Sequence, residues 1–164
     1  MKTSSLTVSR PRDWEGLIGW LVFSLAAAWT SLFVSTGGWY ESLDKPAWNP
    51  PSAVFGPVWT VLYVLIGLAA WLVWREGGWK AQWKPLSLFL VQWILNTAWT
   101  PLFFGLHQPG WALFELIVLW GLAVATGIAF WRVRQLAGVL WLPYLLWLTF
   151  AVALNFSIWR LNTL

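Results

Sequence analysis

Cysteine is absent from this chain, which excludes disulfides, thiolate nucleophiles and thiolate metal ligands. Histidine occurs once, at His107 in a turn, with no second ligand of its kind to complete a metal site. Alone it offers at most one axial ligand to a haem. Charge is scarce: 10% of residues, against roughly 25% in soluble domains. No paired carboxylates stand at hydrolase spacing, and no Ser/His/Asp set is present. Alternating polar/apolar strands of about 10 residues, the mark of a membrane barrel, are also missing. The net charge of +4 does not suggest nucleic acid, because the cations lie between apolar runs, where juxtamembrane charges belong.

Apolar residues make up 59% of the 164, with a mean hydropathy of +0.64 and 18 tryptophans. Five apolar runs stand out: about Trp14–Val34, Ser52–Trp74, Pro85–Leu106, Trp111–Trp131 and Leu136–Trp159. Each holds roughly 20 residues, enough to cross ~30 Å of hydrocarbon as a helix. The first begins near Leu17 and continues too far for a signal-peptide core. The connections are short, so neighbouring helices are expected to be antiparallel. The sequence thus predicts an all-α integral membrane protein, a five transmembrane helix bundle in one domain over 1–164, without repeat or linker. Lys2, Arg10, Arg12, Arg75, Lys80, Lys84, Arg132 and Arg134 fall on one side of such a bundle, and only Lys45 and Arg160 on the other. The positive-inside rule then places the N-terminus in the cytoplasm and the first loop outside.

That first loop leads into the stretch on which the chain is organised, Trp39 to Tyr63. Pro46, Pro50 and Pro51 fix φ and remove backbone donors, so Pro46 to Pro51 cannot be helix interior. A stiff aromatic loop entering a membrane helix reads as a lid over a cavity or as a rigid connector with interfacial anchors. Among residues inside the spans, Glu115 is the one charge. An intramembrane carboxylate is a functional candidate. Near a helix N-terminus it can equally favour the dipole and reach the headgroups. Asn96 reads equally as an interhelical hydrogen bond or as a donor to a ligand carbonyl. Asn155 reads first as an interhelical bond. Pro101 and Pro143 free carbonyls within their spans. Gln108-Pro109-Gly110 reads as a tight turn.

Trp20, Trp29, Trp93, Trp120 and Trp147 lie too deep for a simple interfacial belt. Trp59 and Tyr63 share a helix face at i and i+4, as do Trp147 and Ala151. Such walls suit a flat, apolar, polycyclic ligand, or ordinary packing. Gly121, Ala125 and Ala129, and likewise Ala123 and Gly127, recur every four residues and allow close helix approach within or between protomers.

These motifs resemble one family. Trp39-Tyr40 is followed by Leu43, Lys45-Pro46, Trp48, Pro50-Pro51 and Trp59. Leu95-Asn96-Thr97-Ala98-Trp99-Thr100-Pro101 runs into Phe103-Phe104-Gly105. Pro143-Tyr144, Trp147, Leu154-Asn155-Phe156 and Arg160-Leu161-Asn162 complete the pattern. Over about Trp14–Asn162 the chain is similar to the TspO, or tryptophan-rich sensory protein, family, which includes the mitochondrial translocator protein (peripheral benzodiazepine receptor). The likeness looks closest to bacterial members, which implies a bacterial cell membrane.

The resemblance implies a five-helix bundle, a homodimer, and a pocket at the first-loop end. It implies a porphyrin (protoporphyrin IX or haem) as ligand, with no cofactor or metal required. By matching positions the pocket would be lined by Tyr40, Trp48, Trp59, Tyr63, Asn96, Trp99, Trp111, Trp147 and Ala151, with Trp59 and Asn96 bonding a ligand carbonyl. Lys45 and Arg160, the two cations on that side, are the expected anchors for propionates. The resemblance also permits light-driven degradation of protoporphyrin IX, with Trp59 and Trp147 as redox partners. Two departures stand out. In the family's sterol motif Val152 and Arg160 are kept but Phe156 replaces the tyrosine, so only a weak cholesterol preference is expected. Ser87, Leu88 and Val91 occupy the region where some members carry Gly-xxx-Gly, which leaves the dimer face open.

Overall fold

The structure, a computed structural model, describes residues 13–32 and 38–163. The N-terminal cations Lys2, Arg10 and Arg12 and the end of the first predicted span, Val34, lie outside them. The described residues are helical with short connections. In order they form α1 (Asp13–Leu25), a 3₁₀ continuation (Ala26–Leu32), α2 (Trp39–Ser42), α3 (Ser52–Trp74), α4 (Gly78–Ala81), α5 (Trp83–Thr100) running into a π-turn (Pro101–Gly105), α6 (Pro109–Val133) and α7 (Gln135–Leu161).

Four of these are long and apolar enough to cross a membrane: α3, α5 with its π-turn, α6 and α7. The first apolar run differs from the expected uninterrupted helix. It is α-helical for 13 residues and 3₁₀ for the next seven, where the Thr30 hydroxyl donates to the Ala27 carbonyl three residues back. The second span falls where expected, and the other boundaries move by two residues or fewer. Pro109, expected in a tight turn, is the first residue of α6, where its missing N–H costs nothing. The turn itself is made by Leu106–Gln108, with His107 at φ +55°. Gly77 and Gly78, both at positive φ, follow the end of α3 and turn the chain.

The helices close into a ring. α1 packs on α3, α3 on α7, α7 on α6 and α6 on α5, and the 3₁₀ segment returns to α5. Large apolar side chains such as Ile18, Val22, Ile94, Ile117, Leu142 and Leu146 point outward, as expected of a lipid-facing surface. The half of the bundle away from the first loop is solid. Phe89, Phe130, Trp141 and Tyr144 are fully buried there in mutual ring contact. The Trp141 indole donates to the Ala123 carbonyl at 2.9 Å, and its Cδ1 would lie 2.8 Å from a Cβ placed on Gly127. Small residues at 123 and 127 therefore seat a tryptophan of α7, whereas Gly121 faces open space. At the closed end the Asp13 carboxylate accepts from Arg75 at 2.9 Å, and the Trp71 indole donates to the Asp13 carbonyl, so α1 is pinned to α3.

Candidate ligand pocket

The other half of the bundle is hollow. A cavity of about 460 Å³ opens between the loop ends of α3, α5, α6 and α7, with the 3₁₀ segment on one side and α2 above. Its lining follows helical stripes. Phe55, Trp59 and Tyr63 come from α3; Asn96, Trp99, Thr100 and Phe103 from α5 and its π-turn; Trp147, Ala151, Leu154, Asn155 and Ile158 from α7. Spacings of three and four put each set on one face of its helix.

The Trp59 ring is the centre of this wall. It stacks on Tyr63 at 5.3 Å and meets Tyr144 and Trp147 edge-on at 6.4 and 6.3 Å. Trp99 stacks on Phe103 at 5.0 Å. Pro101 supplies no N–H, and the Leu106 N–H closes onto the Pro101 carbonyl five residues back. Phe103 and Phe104 are thereby set side by side, both edge-on to Tyr40.

Polar groups on the wall are held by one another. The Tyr63 hydroxyl donates to Asn96 Oδ1 at 2.9 Å, and Asn96 Nδ2 donates to the Tyr144 hydroxyl at 3.2 Å. Asn96 is therefore an interhelical bond and a cavity residue at once. The Trp99 indole donates to Asn155 Oδ1, while Asn155 Nδ2 donates to the Pro109 carbonyl, which ties α5, α6 and α7 together. That meets the first reading of Asn155.

The loop above is latched. The Asp44 N–H donates to Asn162 Oδ1, and Asn162 Nδ2 donates back to the Asp44 carbonyl. Trp39 stacks on His107 at 4.3 Å. The Tyr40 hydroxyl donates to Asn49 Oδ1, and burial pushes its phenol above the usual range. Replacing Asn162 with Ala removes two ties between α7 and the loop. Amide exchange across Trp39–Pro51 should then speed up about five- to tenfold, since two exposed hydrogen bonds contribute about 1 kcal/mol. Unchanged exchange by mass spectrometry would mean the stacking alone holds the loop.

Of the nine residues expected to line the pocket, seven do: Tyr40, Trp59, Tyr63, Asn96, Trp99, Trp147 and Ala151. Trp48 stands one ring away, edge-on to Phe150, which itself lines the cavity. Trp111 does not reach it: α6 turns Leu116 and Leu119 inward, and Trp111 lies on another face, two-thirds exposed. Neither expected anchor is among the lining residues. Lys45 Nζ donates to the carbonyls of Tyr40, Glu41 and Leu43 and lies over the Tyr40 ring, so it closes α2 instead. Arg160 is exposed on the last turn of α7. Glu115 also departs from expectation. It is the seventh residue of α6, beyond the first turn where the dipole acts, and both its carboxylate oxygens are buried without a hydrogen-bond partner. Among the described residues no cluster of His, Asp or Glu could hold a metal ion.

A family model described as TspO/MBR family matches residues 18–160. The chain belongs to the TspO/MBR family. Human translocator protein is 45% identical over 154 residues, 91% of each chain. The tryptophan-rich sensory protein of Cereibacter sphaeroides is 42% identical over 151 residues, covering 92% of this chain and 93% of its own. Protein CrtK of Rhodobacter capsulatus is 40% identical over 147 residues, 87% and 90% of the two chains. Identity to bacterial and to human relatives is thus of one order. With its four apolar spanning helices, this TspO/MBR chain is an integral membrane protein. Phe55, Phe104, Phe150, Leu116 and Leu119 of the TspO/MBR pocket were not anticipated. Phe55 stood one turn before Trp59 and was findable by spacing; nothing in the sequence distinguishes Leu116 or Leu119 from other leucines of α6.

Proposed function

We propose that this TspO/MBR protein binds a flat, apolar tetrapyrrole such as protoporphyrin IX or haem in the aromatic cavity under the first loop, for tetrapyrrole handling, transport or sensing. The observation that carries this reading is the convergence of Trp59, Tyr63, Trp99 and Trp147 from three helices onto one cavity of about 460 Å³. Ligand sites of this kind are largely apolar, with a few placed polar groups. The Trp59 and Trp147 rings, nearly perpendicular at 85°, offer a face and an edge to a planar macrocycle. The names of the relatives, translocator protein and sensory protein, are in keeping with such a role.

The wider arrangement follows from the same reading. The α1 rod and its 3₁₀ continuation form a fifth span. Thirteen residues at 1.5 Å and seven at 2 Å reach about 33 Å. The N-terminus is cytoplasmic, the molecule pairs as a homodimer, and cholesterol binds weakly because Phe156 offers no hydroxyl. Lys45 and Arg160 would meet propionates only at the mouth, and Lys45 only after leaving its carbonyls. Light-driven breakdown of the bound porphyrin is the second reading, favoured by two indoles with ring centres 6.3 Å apart in the cavity wall.

Titration of the detergent-solubilised protein with protoporphyrin IX tests both. Saturable tryptophan quenching in the dark is expected, and its absence overturns the assignment. A stable porphyrin spectrum under light supports binding or sensing. Light-driven loss abolished in Trp59→Phe and Trp147→Phe makes the protein an enzyme.

A further inference from the structure

The cavity wall has a direction. We infer that Gln92 and Tyr144, neither of which lines the cavity, fix the orientation of the Asn96 amide so that it offers a donor to the ligand; the pocket then selects molecules that turn a hydrogen-bond acceptor inward. This rests on reading the aromatic cavity as a ligand site, where the family resemblance already implies that Trp59 and Asn96 meet a ligand carbonyl, and it adds the two positioning residues that turn Asn96 to do so.

The argument starts from a backbone atom. A main-chain carbonyl can only accept. The Phe89 carbonyl takes a hydrogen bond from Gln92 Nε2 at 3.1 Å, so the Gln92 amide nitrogen must face it and Oε1 must face away. Oε1 accepts from the Tyr144 hydroxyl at 2.7 Å. A hydroxyl has one hydrogen, and this bond uses it. Toward Asn96 the Tyr144 oxygen can then only accept, and it does so from Asn96 Nδ2 at 3.2 Å. Asn96 Oδ1 is left to accept from Tyr63 at 2.9 Å. Each step follows from the one before, and the chain runs one way from the Phe89 carbonyl to the cavity.

Burial keeps the direction. Gln92 and Tyr144 are fully buried, and Asn96 and Tyr63 are 7% and 6% exposed, so bulk water does not supply alternative partners. Turning the Asn96 amide over would set Oδ1 against a Tyr144 oxygen whose hydrogen is already directed at Gln92. One hydrogen of Asn96 Nδ2 is used by Tyr144; the second has no protein partner among the described residues. The Trp59 indole N–H, also on the wall, has none either. Both are donors. The ligand chemistry that satisfies them is a carbonyl or carboxylate on a flat apolar frame.

The test uses the full chain in detergent micelles and two tricyclic probes, 9-fluorenone and fluorene, which differ by one carbonyl oxygen. Saturable binding is measured by equilibrium dialysis above partition into empty micelles. The carbonyl stretch of bound fluorenone is read by infrared difference spectroscopy, which reports hydrogen bonding independently of affinity. The natural chain should bind fluorenone about tenfold tighter than fluorene, one buried hydrogen bond's worth, with its carbonyl stretch lowered relative to apolar solvent. In Gln92→Met, Tyr144 loses its acceptor and can donate to Asn96 Oδ1, the amide can turn, and the preference should fall severalfold, to what the Trp59 N–H alone supplies, with the stretch moving part of the way back. Tyr144→Phe breaks the chain one link later and should do the same, while fluorene affinity changes less than twofold in both.

Wild-type preference and stretch retained in either folded variant overturn the inference. So does a natural chain that shows no preference for fluorenone or no lowered stretch, a measurement that needs no variant to fold. A parallel titration with protoporphyrin IX separates the two readings. No saturable porphyrin binding beside an intact fluorenone preference removes the tetrapyrrole assignment and leaves the polarity of the wall standing.

Discussion

Replacing Trp59 with Ala should raise the dissociation constant for protoporphyrin IX roughly 30- to 150-fold. Trp59 is in ring contact with Tyr63, Tyr144 and Trp147, so its loss removes a wall and the support of its neighbours. A large aromatic surface buried against a ligand contributes about 2–3 kcal/mol, area and ring geometry together; every 1.4 kcal/mol is about tenfold in affinity. Trp59→Phe keeps most of the wall and removes the unpartnered indole N–H, so it should cost about 1 kcal/mol, or about fivefold. Dark titration of tryptophan quenching reads both, with the eighteen-tryptophan background reduced by one. Equal affinity in the Ala variant and the natural chain would move the ligand out of this cavity altogether.

The second large effect lies in the solid half. Gly127→Ala should destabilise the protein by about 2 kcal/mol and lower its thermal midpoint in detergent by several degrees. The added Cβ would sit 2.8 Å from Cδ1 of Trp141. Trp141 has nowhere to go: it is fully buried, donates to the Ala123 carbonyl, and meets Phe89, Phe130 and Tyr144. Alanine's better helix propensity, worth up to ~1 kcal/mol over glycine, offsets only part of this. Gly121→Ala is the contrast. It has the same spacing motif and the same helix, but nothing lies within 4 Å of the new Cβ. That variant should be neutral or slightly more stable. If the two variants melt together, the small residues of α6 are not there to seat Trp141.

The two positions also show what the sequence could and could not say. The recurrence of small residues in α6 was plain, but Gly121 and Gly127 looked alike, because a one-dimensional pattern does not record which helix approaches. The pocket stripes on α3 and α7 were legible because Trp59 and Trp147 each have a partner four positions away, whereas Trp99 joins Asn96 on α5 only through the family resemblance. The 3₁₀ continuation was not legible: Ala26–Leu32 is apolar and alanine-rich, a composition that suits an α-helix equally well. Trp111 misled because a tryptophan at the start of a span suits an interface and a cavity equally, and only the rotation of α6 decides between them. Lys45 misled because counting charges by side says nothing about the carbonyls within its own reach. Glu115 lies deeper in α6 than the apolar run from Trp111 suggests, because the helix starts two residues earlier, at Pro109.

The π-turn after Pro101 can also be read as punctuation. A π-turn is one residue more than an α-turn needs, so the segment carries an insertion that the helix absorbs without breaking. Removing a single residue between Pro101 and Gly105 would let α5 continue in ordinary α register. The flanks would keep their phase, because the widened turn already absorbs the extra residue, but the bulge that sets Phe103 and Phe104 side by side against Tyr40 would be lost. A deletion that leaves composition, length of span and hydropathy almost untouched would thus redraw one wall of the cavity. A one-residue deletion should therefore be tolerated by the fold here better than elsewhere in α5, and be felt in ligand binding instead.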